Sequence, residues 1–119
     1  MLFRSLRLKI NKIPIRNNTR ETNLQISKVD NIINNIKNEH KKARHIVYVY
    51  KINNTGKIND DGEPKGTAGI PIFNVIEKNN LNNILIIVVR YFGGIKLGAG
   101  GLFRAYSKSA SEIIKKLDS

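Results

Sequence analysis

The alternation of hydrophobic and polar positions first marks three strand-like segments. Near the N-terminus, Leu6, Leu8 and Ile10 alternate with polar residues, which predicts a strand. Residues 45–52 (HIVYVYKI) alternate in the same way and are rich in β-branched and aromatic residues, so they predict a second strand. Residues 84–89 (ILIIVV) are continuously apolar, as expected for a central strand that is covered on at least one face.

Apolar residues that recur at helical spacing mark three helices. The first is predicted to begin at Ser27, an expected N-cap residue, and to end at about Lys42. The second has Pro71 in its first turn, where the missing N–H costs nothing, and asparagine pairs after it. The third is predicted from Leu102 onward, because apolar residues there form one stripe.

Turn-forming and glycine-rich segments join these elements. Residues 53–56 contain two asparagines and a glycine, which favour a turn. The order is strand, helix, strand, acidic loop, helix, strand, glycine loop, helix. It predicts an α/β (α+β) two-layer sandwich with a mixed sheet. With 119 residues and no clear linker, the chain is expected to form one domain, with a basic N-terminal strand or extension at 1–26 and the main domain at 27–119.

Charge narrows the expected partners. The chain has 21 Lys and Arg against nine Asp and Glu, a net charge of +12, which attracts polyanions such as RNA, DNA or an anionic membrane. It is also crowded with asparagine, isoleucine and lysine, so a compositional bias is the alternative explanation of the lysine excess. Nothing indicates a membrane partner, because no apolar run approaches the roughly 20 residues that span a bilayer. The oligomeric state is open.

The acid-free start of the chain has two interpretations. The first acidic residue is Glu21, and an arginine-bearing segment without acids is typical of organellar transit peptides. The alternation between Leu6 and Asn11 instead favours a retained strand and a cytoplasmic protein.

Metal and cofactor chemistry has little support. The chain has no cysteine and two histidines, and no carboxylates lie at metal-ligand spacing beside those histidines. We therefore expect neither a metal nor a cofactor.

A glycine-rich loop, GGIKLGAGG (residues 93–101), follows the hydrophobic strand and precedes a helix. This arrangement can bind phosphate, because helix N-terminal amides and the helix dipole favour an anion. Lys96 and Arg104 would add donors. Neither the P-loop nor the dinucleotide-binding pattern matches, since Leu102 and Phe103 stand where those patterns need other residues. The alternative is a tight connection that packs the helix close to the sheet.

An acidic loop, DDGEPKGTAG (residues 60–69), contains three of the nine acidic residues. Asp60, Asp61 and Glu63 could hold a hard cation or act as an acid and a base. Alternatively, they cap the next helix and form ion pairs with Arg90 or Lys96. Residues 90–92 (RYF) present a similar choice between an aromatic and cationic platform for nucleic acid and a core position.

The two loops together resemble the signature of a known family. DDGEPKGTAGIPI, VVRYFGGIKLGAGGLFRAYS and ARHIVYVY, in their order and spacing, are similar to the IMPACT/YigZ family (Impact N-terminal domain) over roughly residues 29–117. The resemblance implies a ribosomal-protein-S5-domain-2-like fold with a left-handed βαβ crossover, a rare handedness. It also implies a non-enzymatic role in translation, because eukaryotic relatives are translation regulators that bind the activator of a translation-initiation-factor kinase.

The resemblance carries over residue by residue as two sets, and no catalytic residue is among them. The acidic-loop set is Asp60, Asp61, Gly62, Glu63, Pro64, Gly66, Thr67 and Gly69. The expected binding surface is Arg90, Tyr91, Phe92, Gly93, Gly94, Lys96, Gly98, Gly100, Gly101 and Arg104. We expect the two loops to lie side by side, with carboxylates that position Arg90, Lys96 or Arg104.

Three functions are compatible with these features. The favoured one is a translation-associated protein that binds RNA, the ribosome or a translation-regulatory partner through the basic glycine loop. The second is an enzyme that acts on a phosphorylated small molecule or nucleotide, and the third is a purely protein-binding module.

Overall fold

The computed structural model describes the backbone of residues 6–12, 19–91 and 98–117, with side chains from 26 to 91 and from 98 to 116. Seven elements follow one another in these ranges: β1 (Leu6–Lys12), α1 (Thr19–Glu39), β2 (His45–Ile52), β3 (Thr55–Asn59), α2 (Gly69–Lys78), β4 (Ile84–Arg90) and α3 (Gly98–Leu117).

The described strands form one sheet in the order β1-β4-β2-β3, and every pairing in it is antiparallel. In the middle of the sheet, Val88 of β4 lies between Leu8 of β1 and Val47 of β2. The predicted N-terminal strand and the predicted central strand are both confirmed. The expected mixed sheet is wrong: β1 and β2 do run parallel to each other, but β4 separates them and pairs antiparallel with both.

Helices cover both faces of the sheet. On one face, Ile84, Ile86 and Val88 pack with the buried residues of α2 and α3. On the other face, the alternate β4 residues, such as Leu85 and Ile87, pack with the buried residues of α1. The α+β class with helices packed on a sheet is confirmed, whereas the two-layer arrangement is wrong. β4 is continuously apolar because successive side chains of the strand point to opposite faces of the sheet, and each face is covered by a hydrophobic core.

β3 is an element that the sequence pattern did not predict. Asn53 and Asn54 connect β2 to β3 with φ of 47° and 63°, as in the two-residue turns that match the twist of a hairpin. Asn83 and Asn82 support this turn, because their side-chain oxygens accept hydrogen bonds from the backbone N–H groups of Asn53 and Asn54. The predicted turn is confirmed, and the strand after it completes an edge of the sheet.

Two helices begin earlier than predicted. α1 begins at Thr19, so Ser27 lies inside the helix and is not its N-cap. α3 begins at Gly98 and not at Leu102. The glycines of its first turn are therefore helical despite their low helix propensity, which tertiary context can override. α2 agrees with the prediction, with Pro71 in its first turn and Asn79 as its C-cap. β1, α1 and β2 form the expected βαβ crossover, whose left-handedness and S5-domain-2-like character stay predictions.

Candidate functional site

Two acids of the acidic loop bind backbone amides of other elements. An Asp60 side-chain oxygen accepts a hydrogen bond of 2.8 Å from the N–H of Gly69, the first residue of α2, and thereby caps that helix. Asp61 Oδ2 accepts a bond of 2.6 Å from the N–H of Ile46 at the start of β2. The interpretation of these acids as caps and links is therefore the one that the structure supports.

Glu63 is the centre of a buried polar cluster. Its side chain is 1% exposed. Arg90 at the end of β4 donates two hydrogen bonds to it, from Nε to Oε2 at 2.7 Å and from Nη2 to Oε1 at 2.8 Å. Tyr106 of α3 donates its hydroxyl hydrogen to Oε2 at 2.6 Å. One carboxylate thus joins the acidic loop, the central strand and the last helix.

The electrostatics of this cluster favour its charged form. Burial alone would raise the pKa of Glu63, but hydrogen bonds from Arg90 and Tyr106, and the charges of Arg90 and His45, hold that pKa below its ordinary value. The hydrogen bonds to Glu63 raise the pKa of Arg90. Burial, reinforced by the hydrogen bond to the carboxylate, raises the pKa of Tyr106. The cluster is therefore an ionised carboxylate with a guanidinium and a neutral phenol as donors.

His45 closes the cluster from β2. Its Nδ1 lies 2.7 Å from the carbonyl oxygen of Asp61, and its Nε2 lies 3.2 Å from Oε1 of Glu63. Both contacts are hydrogen bonds only when both ring nitrogens carry a hydrogen, that is, in the imidazolium form. His45 therefore joins the start of β2 to two positions of the acidic loop, Asp61 and Glu63.

Glycines and a hydroxyl shape the acidic loop around these contacts. Gly62 and Gly66 have φ of 83° and 80°, in the left-handed region that favours glycine. Thr67 donates its hydroxyl hydrogen to the carbonyl oxygen of Pro64. At Gly69 a Cβ would collide with Cγ2 of Ile58, so the start of α2 is pressed against β3.

The expected pairing of an acidic-loop carboxylate with Arg90 is confirmed, whereas the side-by-side placement of the two loops stays a prediction. Glu63 pairs with this residue, so one of the three expected cations is held by a carboxylate of the acidic loop. Arg104 forms no ion pair with a carboxylate among the described side chains. The remaining part of the predicted binding surface, Phe92, Gly93, Gly94 and Lys96, lies outside the described residues.

Tyr91 directly follows the last residue of β4. It is half-buried, packs against the core on the α1 face, and its hydroxyl is hydrogen-bonded to Nδ1 of His40. The two rings meet edge to face, with centroids 5.8 Å apart. Tyr91 therefore occupies a packing position between α1 and the end of β4.

The first turn of α3 is positively polarised. It contains Gly98, Gly100 and Gly101 and no acidic residue. The guanidinium of Arg104 folds back over this turn, since a Cβ at Gly100 would lie 3.4 Å from Nη1 of Arg104. A cation against a helix N-terminus is unfavourable by itself, so an anion placed here would be stabilised by both.

A groove runs along the exposed face of α3, and we call the residues that line it the α3 stripe. The groove has a volume of about 370 Å³. It is lined by an aromatic ring, three cations and two serines: Phe103, Arg104, Ser107, Lys108, Ser111 and Lys115. Glu112 is an acid in the same lining. Phe103 is 38% exposed, although it is a large apolar residue. The opposite side of α3 carries the buried residues Leu102, Ala105, Tyr106, Ala110 and Ile114.

Metal binding and membrane insertion gain no support in the described part of the chain. Within it, no group of three or more histidine or acidic residues converges as a metal site would. No described helix combines the length and apolar character that crossing a bilayer requires.

Three residues of these sites were missed by reasoning from the sequence. Tyr106 lies among the apolar residues from which α3 is predicted, and its signal was available, because a tyrosine among small and aliphatic core residues must find a partner for its hydroxyl. His45 and Phe103 carried no such local signal. Phe103 is recognisable only once the exposed face of α3 is known.

Comparisons with known proteins identify the family of the chain. Residues 21–114 match the family model of the Impact N-terminal domain. The chain is 53% identical over 83 residues to IMPACT family member YvyE of Bacillus subtilis (strain 168), which covers 67% of this chain and 38% of that protein. It is 36% identical over 90 residues to IMPACT family member YigZ of Escherichia coli (strain K12). This match covers 71% of this chain and 44% of that protein.

A solved structure also shares the fold. It is described as the crystal structure of a hypothetical protein, and it matches with a TM-score of 0.75 and 26% sequence identity. The match covers 93% of this chain and 52% of the chain in that structure. The chain spans about two fifths of the length of the curated relatives just named. The match over most of the chain, together with 53% identity to a curated member, shows that it belongs to the IMPACT family through an Impact N-terminal domain.

Proposed function

We propose that the protein is a non-enzymatic, translation-associated regulator that binds RNA, and that the α3 stripe is its RNA-binding surface. The observation that carries this proposal is the exposed groove on α3 in which three cations and two hydroxyls line one side of a helix. RNA backbones are bound by this combination of charged and hydroxyl donors. The setting in translation follows from the resemblance to the family.

The difference in ion pairing between Arg90 and Arg104 supports the α3 stripe as the location of the RNA-binding surface. Arg90 was an expected phosphate ligand, but its guanidinium is engaged by Glu63. Arg104 folds over the first turn of α3 and has no ion pair with a described carboxylate. The two ends of the stripe, Arg104 and Lys115, are about 16 Å apart at 1.5 Å per residue, so they can meet different phosphates.

The alternative of an enzyme that acts on a phosphorylated molecule is weakened by the acidic loop. Its chemistry would need carboxylates that are available to a metal or a substrate. Asp60, Asp61 and Glu63 instead hold backbone amides and the Arg90–Tyr106 cluster.

The test is co-sedimentation with purified ribosomes across a salt series, with two double variants that lose the same net charge. Arg104→Ala/Lys115→Ala removes the two ends of the stripe. Lys57→Ala/Lys78→Ala removes two exposed lysines from β3 and α2. Each lost phosphate contact should lower the log–log salt slope by about 0.7 to 0.9.

We expect the stripe variant to lose about 1.5 from this slope, and the control to keep the slope of the unaltered protein. Equal slopes for all three proteins would exclude the stripe. Binding that survives RNase treatment of the ribosomes and ignores the stripe would instead favour the protein-binding module.

A further inference from the structure

We infer that Phe103 is a base-stacking position, so that the RNA bound by the α3 stripe is single-stranded and places an unpaired base on this ring. This inference rests on the proposed function, because it names the form of RNA that the same groove takes. It concerns one aromatic side chain whose exposure the fold leaves unexplained.

The first support is the position of the ring. Phe103 and Ile70 are the exposed large apolar residues in the described part of the chain, at 38% and 42%. Ile70 lies at the start of α2, outside the groove, whereas Phe103 lines the groove together with cations and serines. An exposed aromatic ring lacks the favourable free energy of burial, and stacking on a base would remove the ring from water and supply that free energy.

The second support is the charge beside the ring. Arg104 is its neighbour in the chain, and Ser107 lies one turn further along the same lining. A base on the ring would bring its phosphate to this arginine, and the serine hydroxyl can donate to phosphate or sugar. Sequence-tolerant binding of single strands uses this pairing of an aromatic platform with a cationic track.

The third support is the shape of the groove. It is an open groove on one helix, with a volume of about 370 Å³ and cations towards both of its ends. Paired bases in an A-form helix are stacked on each other and present phosphates and 2′-hydroxyls to a protein. A duplex would therefore contact Arg104 and Lys115 without using Phe103, whereas an unpaired base can reach the ring.

The experiment uses the absence of tryptophan from the chain. Phe103→Trp introduces a single indole in the groove, and Ile70→Trp introduces one at the other exposed apolar position. Each variant is titrated with a uridine oligonucleotide and with a blunt-ended RNA duplex of the same length. Indole fluorescence and the anisotropy of the labelled RNA are recorded together.

We expect the single strand to quench the indole of Phe103→Trp in step with anisotropy, and to leave the indole of Ile70→Trp unchanged. Phe103→Leu keeps an apolar side chain without an aromatic face. It should weaken single-strand binding by about 5- to 150-fold, the loss of one stacked base, and leave duplex binding and the salt slope unchanged.

Two failures are distinguishable. If the Arg104→Ala/Lys115→Ala variant loses RNA binding but Phe103→Leu binds the single strand as the unaltered protein does, the stacking inference is overturned and the proposed function stands. If that double variant also binds RNA normally, the proposed function itself fails. Quenching by the duplex equal to that by the single strand would overturn the choice of single-stranded RNA.

Discussion

The acidic loop and the α3 stripe use charge in opposite ways. In the loop, Asp60, Asp61 and Glu63 accept hydrogen bonds from α2, β2, β4 and α3, and Glu63 is almost completely buried. In the stripe, Arg104 and its neighbouring cations line an exposed groove. The acidic loop and the first part of the stripe, from Phe103 to Ser107, belong to the segments that carry the family resemblance.

The difference shows why a charged motif does not by itself indicate a binding site. Glu63 is satisfied by protein donors, so removing it would leave Arg90 and Tyr106 without their partner. Arg104 forms no ion pair with a carboxylate among the described side chains. Substitutions in the loop should therefore act on stability, and those in the stripe on binding.

The largest expected effect follows from replacing the buried carboxylate. Glu63→Ala leaves a half-buried guanidinium and a buried hydroxyl unpaired, and should lower the free energy of unfolding by about 3 kcal/mol. Urea unfolding with an unchanged m value measures this loss.

The matched control is Glu112→Ala, which removes an exposed acid from the stripe. It should change the free energy of unfolding by no more than about 0.5 kcal/mol. If both variants shifted the midpoint equally, the Glu63 cluster would have no special structural role.

A smaller effect is expected from two glycines, Gly69 at the end of the acidic loop and Gly100 beside Arg104 of the stripe. In Gly69→Ala the new Cβ collides with Ile58, which should lower the free energy of unfolding by about 1 to 3 kcal/mol. In Gly100→Ala the new Cβ meets only the movable guanidinium of Arg104, so stability should be unchanged or raised by up to about 1 kcal/mol.

Combining Gly69→Ala with Ile58→Ala tests the cause. Because the second change removes the obstructing Cγ2, the two effects should be less than additive in thermal or urea unfolding. Strict additivity would show that Gly69 is required for another reason.

The smallest expected effect is a pH dependence of stability that belongs to Glu63. Its pKa is lower in the folded protein than in the unfolded chain, so its stabilisation is complete above the ordinary glutamate pKa of about 4.3. The stabilisation disappears as the pH falls through the lower pKa of the folded protein.

Urea midpoints measured from about pH 6 down to about pH 3 should therefore fall less steeply for Glu63→Gln than for the unaltered protein. Glu112→Gln, which changes an exposed acid of the stripe, should keep the original slope. An unaltered slope in Glu63→Gln would mean that other carboxylates account for the acid sensitivity.

The candidate site was predictable in its parts and not in its connections. The sequence identified both loops, and it offered the anchoring of the acids and the pairing of a carboxylate with Arg90 as one of two alternatives. It did not connect Glu63 with His45 and Tyr106, which lie 18 and 43 positions away in the chain. Such contacts depend on how the sheet brings β2, β4 and α3 together.

The elements that the sequence determined are those whose burial pattern is strong and local. The β-branched and aromatic residues of β2, the apolar run of β4 and the helical period of α2 are strong local signals, so each element is recognisable alone. β2 and β4 are buried on both faces, and α2 on one. The asparagine pair at the hairpin is equally local, because asparagine tolerates a positive φ.

Tertiary structure alone decided the rest. Thr55–Asn59 has a weak strand pattern and becomes β3 because it pairs with β2. The sequence shows that α1 has an apolar side but not which face of the sheet it covers, so the third layer was not foreseen. Hydrophobic burial is non-directional, and periodicity therefore specifies the elements, whereas long-range pairing and packing select their arrangement and turn Glu63 inward and Phe103 outward.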